Sequence, residues 1–256
     1  MKVSQSLAGR TALVTGSSSG IGAHLAELFG KAGARVVLAA RRADRLSVLA
    51  TRLGSLGIDA IAVEMDVTNE ASVIAAYDQA EGAFGTVDTI VANAGVAAVG
   101  RSTKLDADKI ESVINTNLTG VYLTVREGAK RLMTRGSAER ENGRVIIIGS
   151  ITSHFAAHTD TAYAATKAGV AHLARSMARE WIRQGINVNT ISPGYIDTDI
   201  SGDWYQSEGG KAHIASMNRR RLLEVTALDD VALLFASDAS RQITGAEIII
   251  DDGQLL

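Results

Sequence analysis

A chain of 256 residues with 46% hydrophobic and 21% charged residues is an ordinary globular composition, long enough to bury a core without a disulfide or metal staple. It contains no cysteine, which excludes a disulfide framework, thiolate catalysis and sulfur-ligated metal sites. Lys+Arg 26 against Asp+Glu 28 leaves −2, too balanced for a nucleic-acid footprint or a polybasic membrane patch, and no uncharged apolar run reaches the length of a bilayer.

Residues 1–7 lack the apolar run of a signal peptide, so the expected location is the cytoplasm. The first strand is expected at 11–15, followed by a glycine-rich turn and a helix over 20–32. Strand 35–40, helix 43–56 and strand 58–63 follow. Helix 69–84 is preceded by the cap-type residues Asp66 and Asn69, then comes strand 87–92. Asp106 precedes a long helical pattern over 107–134, and the polar stretch 134–142 reads as an exposed turn. Strand 144–148, helix 161–184 and strand 187–191 continue the alternation. The interval 195–224 has no strand and is long enough to be a functional lid. Helix 228–238 and strand 247–250 close the chain. The strands are continuous β-branched runs such as VVLAA and VIII, which fit strands buried on both faces of a parallel sheet. The fold class is therefore α/β, one doubly wound domain over 1–256, with seven parallel strands and helices on both faces.

Between a buried strand and a helix stands Thr15-Gly16-Ser17-Ser18-Ser19-Gly20-Ile21-Gly22. Glycines in such a turn let the backbone approach a diphosphate at a helix N-terminus, although the spacing differs from G-x-G-x-x-G. The same stretch satisfies G-x-S-x-G, the nucleophile elbow of α/β-hydrolases, which makes Ser18 a rival candidate nucleophile. Tyr163 and Lys167 are four apart on a helix and face the same way. A cation about 4 Å from a phenolate is worth about 4 kcal/mol at an effective dielectric near 20. That would bring a tyrosine from about 10 to about 7, suitable for general acid–base work. Ser150 ends the strand thirteen positions earlier, and Asn117 lies in NTNLTG.

TGSSSGIG, Asn93-Ala94-Gly95, NTNLTG, Ser150, YAATK and Ser192-Pro193-Gly194 stand in the order found in short-chain dehydrogenases/reductases of the classical type, which the chain resembles from about residue 7 to its end. The resemblance implies a Rossmann-fold oxidoreductase moving hydride between a nicotinamide cofactor and a carbonyl or alcohol. It implies that Tyr163 is the acid/base and that Lys167 holds the nicotinamide ribose. Ser150 would polarise the substrate oxygen, and Asn117 would hold a water leading from Lys167 to solvent. Gly16, Ser18, Ser19, Gly20, Ile21 and Gly22 would cradle the diphosphate. Asn93, Ala94 and Gly95 would line the adenine-ribose side, with Asp66 and Val67 at the adenine. Pro193, Gly194, Ile196 and Thr198 would meet the nicotinamide end.

Ala40 stands where NAD-dependent relatives carry aspartate, and Arg41 follows with a guanidinium suited to a 2′-phosphate, so NADP(H) is expected, with NAD(H) as the alternative. Thr152, His154 and Tyr195 are expected beside Ser150 and Tyr163 as substrate contacts. The aromatic lid residues Trp204 and Tyr205 favour a hydrophobic ketone or secondary alcohol. The run Arg219-Arg220-Arg221 keeps a 3-oxoacyl substrate on an acyl carrier or coenzyme A as an alternative. His154 and His158, four apart in an expected loop, do not match the H-E-x-x-H pattern, so no metal is expected. Relatives end in Asp-Gly-Gly, whereas Asp251-Asp252-Gly253 stands here. A homodimer or homotetramer is implied. The rivals from other classes are a serine hydrolase using Ser18 and a non-catalytic NADPH-binding redox sensor.

Overall fold

The computed structural model describes residues 5–156 and 158–256; residues 1–4 of the N-terminal segment lie outside it. Seven strands form one parallel sheet in the order β3-β2-β1-β4-β5-β6-β7. They are β1 (Thr11–Thr15), β2 (Arg35–Ala40), β3 (Ala60–Glu64), β4 (Thr89–Ala92), β5 (Gly143–Ile148), β6 (Ile186–Pro193) and β7 (Glu247–Ile250). All seven expected strands are present; the third and fourth each begin two residues later than expected, and the third ends one later. The helices are α1 (Gly20–Lys31), α2 (Ala43–Ser55), α3 (Glu70–Phe84), α4 (Ala107–Ile114), α5 (Gly120–Thr134), α6 (Ser137–Arg140), α7 (Thr161–Trp181), α8 (Glu208–Ser216) and α9 (Asp229–Ala236).

The alternating faces of the sheet feed two apolar cores. Leu13, Val37, Ile90, Val145 and Val188 point to the layer with α3, α5 and α7. Val14, Leu38, Val91, Ile146 and Ile191 point to the layer with α1, α2 and α9. Burial on both faces explains why these strands are apolar throughout. None of the helices among the described residues is long and apolar enough to cross a membrane.

Three expectations change. The helix over 107–134 is not uniform: Asn115–Thr119 is a π-turn between α4 and α5. The stretch 134–142 is not a bare turn but holds α6, where Ser137 is buried and its hydroxyl donates to the Gln184 carbonyl at 2.6 Å. Asn69 caps α3 by accepting from Ser72 N at 3.1 Å, whereas Asp106 makes no side-chain cap and Asp66 closes a local turn on Thr68. The two ends of the interval 195–224 are joined to each other by a parallel bridge between Ile196 and Leu223, both of which pack into the core, and the interval contains α8.

Candidate active site

Parallel strands send their following loops to one edge of the sheet, and the reversal of order between β1 and β4 opens a crevice there. A cleft of about 460 Å³ occupies it. Its lining comes from the turn after β1 (Gly16, Ser18 to Ile21), the end of β2 (Ala40 to Arg42) and the residues after β3 (Met65 to Val67). The loop after β4, from Asn93 to Ala97, and Thr198 to Ile200 complete it.

The turn after β1 is built to admit a ligand close to its backbone. Gly16 has φ +67°, and a Cβ there would stand 2.9 Å from Ala94 Cα. A Cβ on Gly22 would lie 2.5 Å from both the Gly16 carbonyl oxygen and Asn93 Nδ2. Thr15 Oγ1 accepts from the backbone N–H groups of Asn93 and Ala94 at 3.0 and 3.1 Å, locking the first and fourth loops together. This cradle, at the start of α1 and open to the cleft, fits a diphosphate and the long body of a dinucleotide. Thr15 belongs to the glycine motif, yet the motif by itself does not mark it as a site residue.

The corner after β2 is basic. Arg41 and Arg42 both line the cleft. Arg42 donates to Ser18 Oγ at 3.0 and 2.8 Å and to Ser19 Oγ at 2.9 Å. Asp199, at the start of the 195–224 interval, accepts from Arg45 at 2.9 Å and from Arg42 at 3.4 Å. The Ser19 hydroxyl and these guanidinium groups hold the Asp199 carboxyl below the usual range. Sequence reasoning singles out Arg41 and misses Arg42 and Asp199, because the bonds that gather them span 157 residues. Asp66 also lines the cleft. Against the upward push of burial, Thr68 and the charge of Arg41 lower its carboxyl.

The four expected catalytic residues lie at the ends of β5, α4 and α7. The Ser150 hydroxyl lies close enough to the Tyr163 phenol to lower it. Ser150 Oγ accepts from Thr152 N at 3.2 Å and from Thr152 Oγ1 at 3.0 Å. With both lone pairs taken, its proton is left to donate. Thr152, expected as a substrate contact, is thus buried as the support of Ser150. Lys167 is buried, donates from Nζ to the Ile148 carbonyl at 2.8 Å and lies 5.5 Å from the centre of the Tyr163 ring. Burial lowers its ammonium to about 8. The expected fall of Tyr163 toward neutrality does not occur. Burial pushes its phenol up to about 12, and the Ser150 hydroxyl offsets only part of that. Asn117 Oδ1 accepts from Val96 N at 2.8 Å, and its Nδ2 donates to the Val96 carbonyl at 2.9 Å and to Thr166 Oγ1 at 3.3 Å. Its side chain therefore clamps the loop after β4, and the π-turn carrying it is a backbone irregularity of the kind found at functional sites.

Other expected contacts are not brought in. His154 turns away, with Nε2 2.9 Å from Glu247 Oε1, so it has the acidic companion that its sequence neighbourhood lacks. Ile196 buries its side chain in the core. Pro193 pairs with Ile250 in β7, and Gly194 N donates to the Ile250 carbonyl at 2.8 Å; of the residues after β6, Thr198 reaches the cleft. Tyr195 does lie near Tyr163 and stacks edge-on to His213 at 4.9 Å. Trp204 lies 5.3 Å from the same imidazole. Among the described residues no group of three His, Cys, Asp or Glu is placed to hold a metal.

The short chain dehydrogenase family matches residues 10–209. The chain belongs to that family. The 5-keto-D-gluconate 5-reductase of Escherichia coli (strain K12) is 33% identical over 98% of this chain and 97% of its own length. The 3-oxoacyl-[acyl-carrier-protein] reductase of Pseudomonas aeruginosa is 31% identical over 98% and 99%. A gluconate 5-dehydrogenase from Burkholderia cenocepacia, solved in complex with NADP and tartrate, superposes with a TM-score of 0.92 at 32% identity, covering 98% of this chain and 97% of that one. As a short-chain dehydrogenase the chain is an oxidoreductase acting between CH–OH and C=O, built on a Rossmann-type sheet.

Proposed function

We propose that this short-chain dehydrogenase is an NADP(H)-dependent oxidoreductase interconverting a ketone and a secondary alcohol, with Ser150, Tyr163 and Lys167 as its catalytic residues. The observation that carries the reading is the pairing of the Ser150 and Tyr163 hydroxyls beside the buried Lys167, on the same edge of the sheet as a cleft shaped for a dinucleotide. The dinucleotide, when bound, supplies the two-electron redox chemistry. Gly16, Ser18 to Gly22, Asn93 to Gly95, Asp66 and Val67 would hold its body. Arg41 and Arg42 would hold a 2′-phosphate, where Ala40 presents no acid to repel it. The gluconate 5-dehydrogenase from Burkholderia, bound to NADP, supports the same choice.

Ser150 donates to the substrate oxygen, its own acceptor sites being filled by Thr152. Tyr163, held protonated at neutral pH, gives its proton to that oxygen during reduction and takes it back in the reverse direction. Lys167 stabilises the phenolate left behind. Asn117 keeps the loop after β4 against α7. The interval 195–224 covers the substrate side of this single domain, and the apolar groove of Leu105, Ile110, Ile114 and Leu118 beside α7 supports a homo-oligomer.

The rival readings meet specific geometry. Ser18 Oγ accepts from Arg42, and among the described residues no histidine stands within hydrogen-bond reach to take its proton, as a hydrolase would need. Arg219 and Arg221 are bound to Asp252 at 3.2 and 2.7 Å, leaving less basic surface for an acyl carrier. Replacing Tyr163→Phe is expected to lower NADPH-dependent carbonyl reduction by about 10²-fold or more, with NADPH affinity by fluorescence kept within a few-fold. Full turnover in that variant removes the mechanism. Titration of NADPH and NADH against the wild type tests the cofactor choice.

A further inference from the structure

Resting on the reading of Ser150 and Tyr163 just given, we infer that the substrate carries hydroxyl groups close to its reacting carbon, and that Asp160 and His213 are the residues that select it. Asp160 stands immediately before α7, three residues ahead of Tyr163. It therefore sits at the base of the turn that carries the Tyr163 phenol. The Asp160 charge reaches both Tyr163 and Tyr195. Although Asp160 occupies the cap position of α7, its side chain does not cap the helix. Its Oδ1 is shut off from solvent and has no hydrogen-bond partner among the described residues.

A second orphan comes from the covering segment. His213 on α8 packs its ring against Tyr195 and Trp204, and its Nε2 is likewise buried without a partner among the described residues. Tyr205 is buried close enough to feel Tyr195 and Tyr163. The surroundings of Tyr163 thus combine aromatic faces with a carboxylate acceptor and an imidazole nitrogen that no described residue satisfies. Both atoms are already shut off from water, so an apolar ketone leaves them unpaired, whereas a substrate hydroxyl that reaches them relieves that cost. A hydroxylated carbonyl compound gives each a partner and lays its C–H faces on the rings. Sites that hydrogen-bond a substrate hydroxyl reject the analogue lacking it far more strongly than apolar pockets reject an altered apolar group. These orphans favour a hydroxylated ketone over the hydrophobic one expected from Trp204 and Tyr205.

The test compares NADPH-dependent reduction of acetoin with that of 2-butanone, which differ by one hydroxyl beside the carbonyl. Wild-type kcat/KM is expected to favour acetoin by about 10²-fold. Asp160→Ala and His213→Phe should each cut that ratio by about tenfold or more, mainly through the KM for acetoin, and Asp160→Asn, which keeps an amide oxygen, should restore part of it. The NADPH dissociation constant, read by fluorescence, reports that each variant is folded. Equal kcat/KM for the two ketones in the wild type overturns the inference and leaves the oxidoreductase reading intact. Equal loss on both ketones in the two variants also overturns it, since that marks a merely structural role. A wild type that binds NADPH but reduces neither these nor any other carbonyl overturns the oxidoreductase reading itself.

Discussion

Lys167 carries a charge in a place that disfavours charge. Its ammonium is lowered from 10.5 to about 8 by burial. Between those values the unfolded chain binds more protons than the folded one, so this group makes stability rise with pH there, by at most about 1.4 kcal/mol per unit. Below about 8 both states are charged and the penalty is complete. Denaturant midpoints at pH 8 and 10 should therefore rise for the wild type relative to Lys167→Met, and equal slopes would show that the amine is not desolvated. At the same scale, Asp252 shows how one substitution is accommodated. It sits at φ +52°, a region aspartate tolerates better than most residues, and its carboxylate gathers Arg219 and Arg221. The residue type accounts for the backbone but not for the two arginines, whose approach depends on the path of 195–224.

The turn between β1 and α1 leaves no room for a side chain at Gly22. A methyl group on Gly22 meets the Gly16 carbonyl and the Asn93 amide, neither the free end of a flexible chain. Gly22→Ala is thus expected to push the first and fourth loops apart, weakening NADPH binding at least tenfold and lowering Tm by several degrees. Unchanged affinity by fluorescence would mean that the turn relaxes freely. The glycine spacing and the flanking apolar strand make this element readable in the sequence alone. The π-turn at Asn115–Thr119 is not readable there, because one shifted backbone hydrogen bond leaves the surrounding helical periodicity intact. His154 is misplaced by sequence reasoning for a related reason, since its partner Glu247 is 93 residues away on the last strand. Local pattern reports which way a segment is built; it does not report what another segment brings to it.

For the molecule as a whole, the edge of the sheet opposite the cleft is fastened by an ionic cluster that runs from buried arginines to the exposed Asp238, and of which composition holds no hint. Arg144, 1% exposed, donates to the carbonyls of Ser237, Glu141 and Gly143, and its Nη2 lies 3.3 Å from Asp238. Arg10 joins Asp88 at 3.2 Å to Asp238 at 2.5 Å. Arg144→Met leaves those acceptors unpaired and should lower Tm by about 10 °C, from a loss of about 3–5 kcal/mol, with NADPH affinity unchanged. The seven strands and the catalytic motifs are legible because each is contiguous in the chain; Asp160, His213, Arg42 and Asp199 acquire meaning only from tertiary approach. Asp199 has a consequence for ligand discrimination. Its carboxylate offsets one of the two charges on Arg42 and Arg45, so an incoming phosphate meets a corner that is still cationic but already holds a competing anion. The net selectivity of that corner is the difference between two anions competing for the same guanidinium groups. The loser, if it is Asp199, frees the first turn of the covering segment as it leaves.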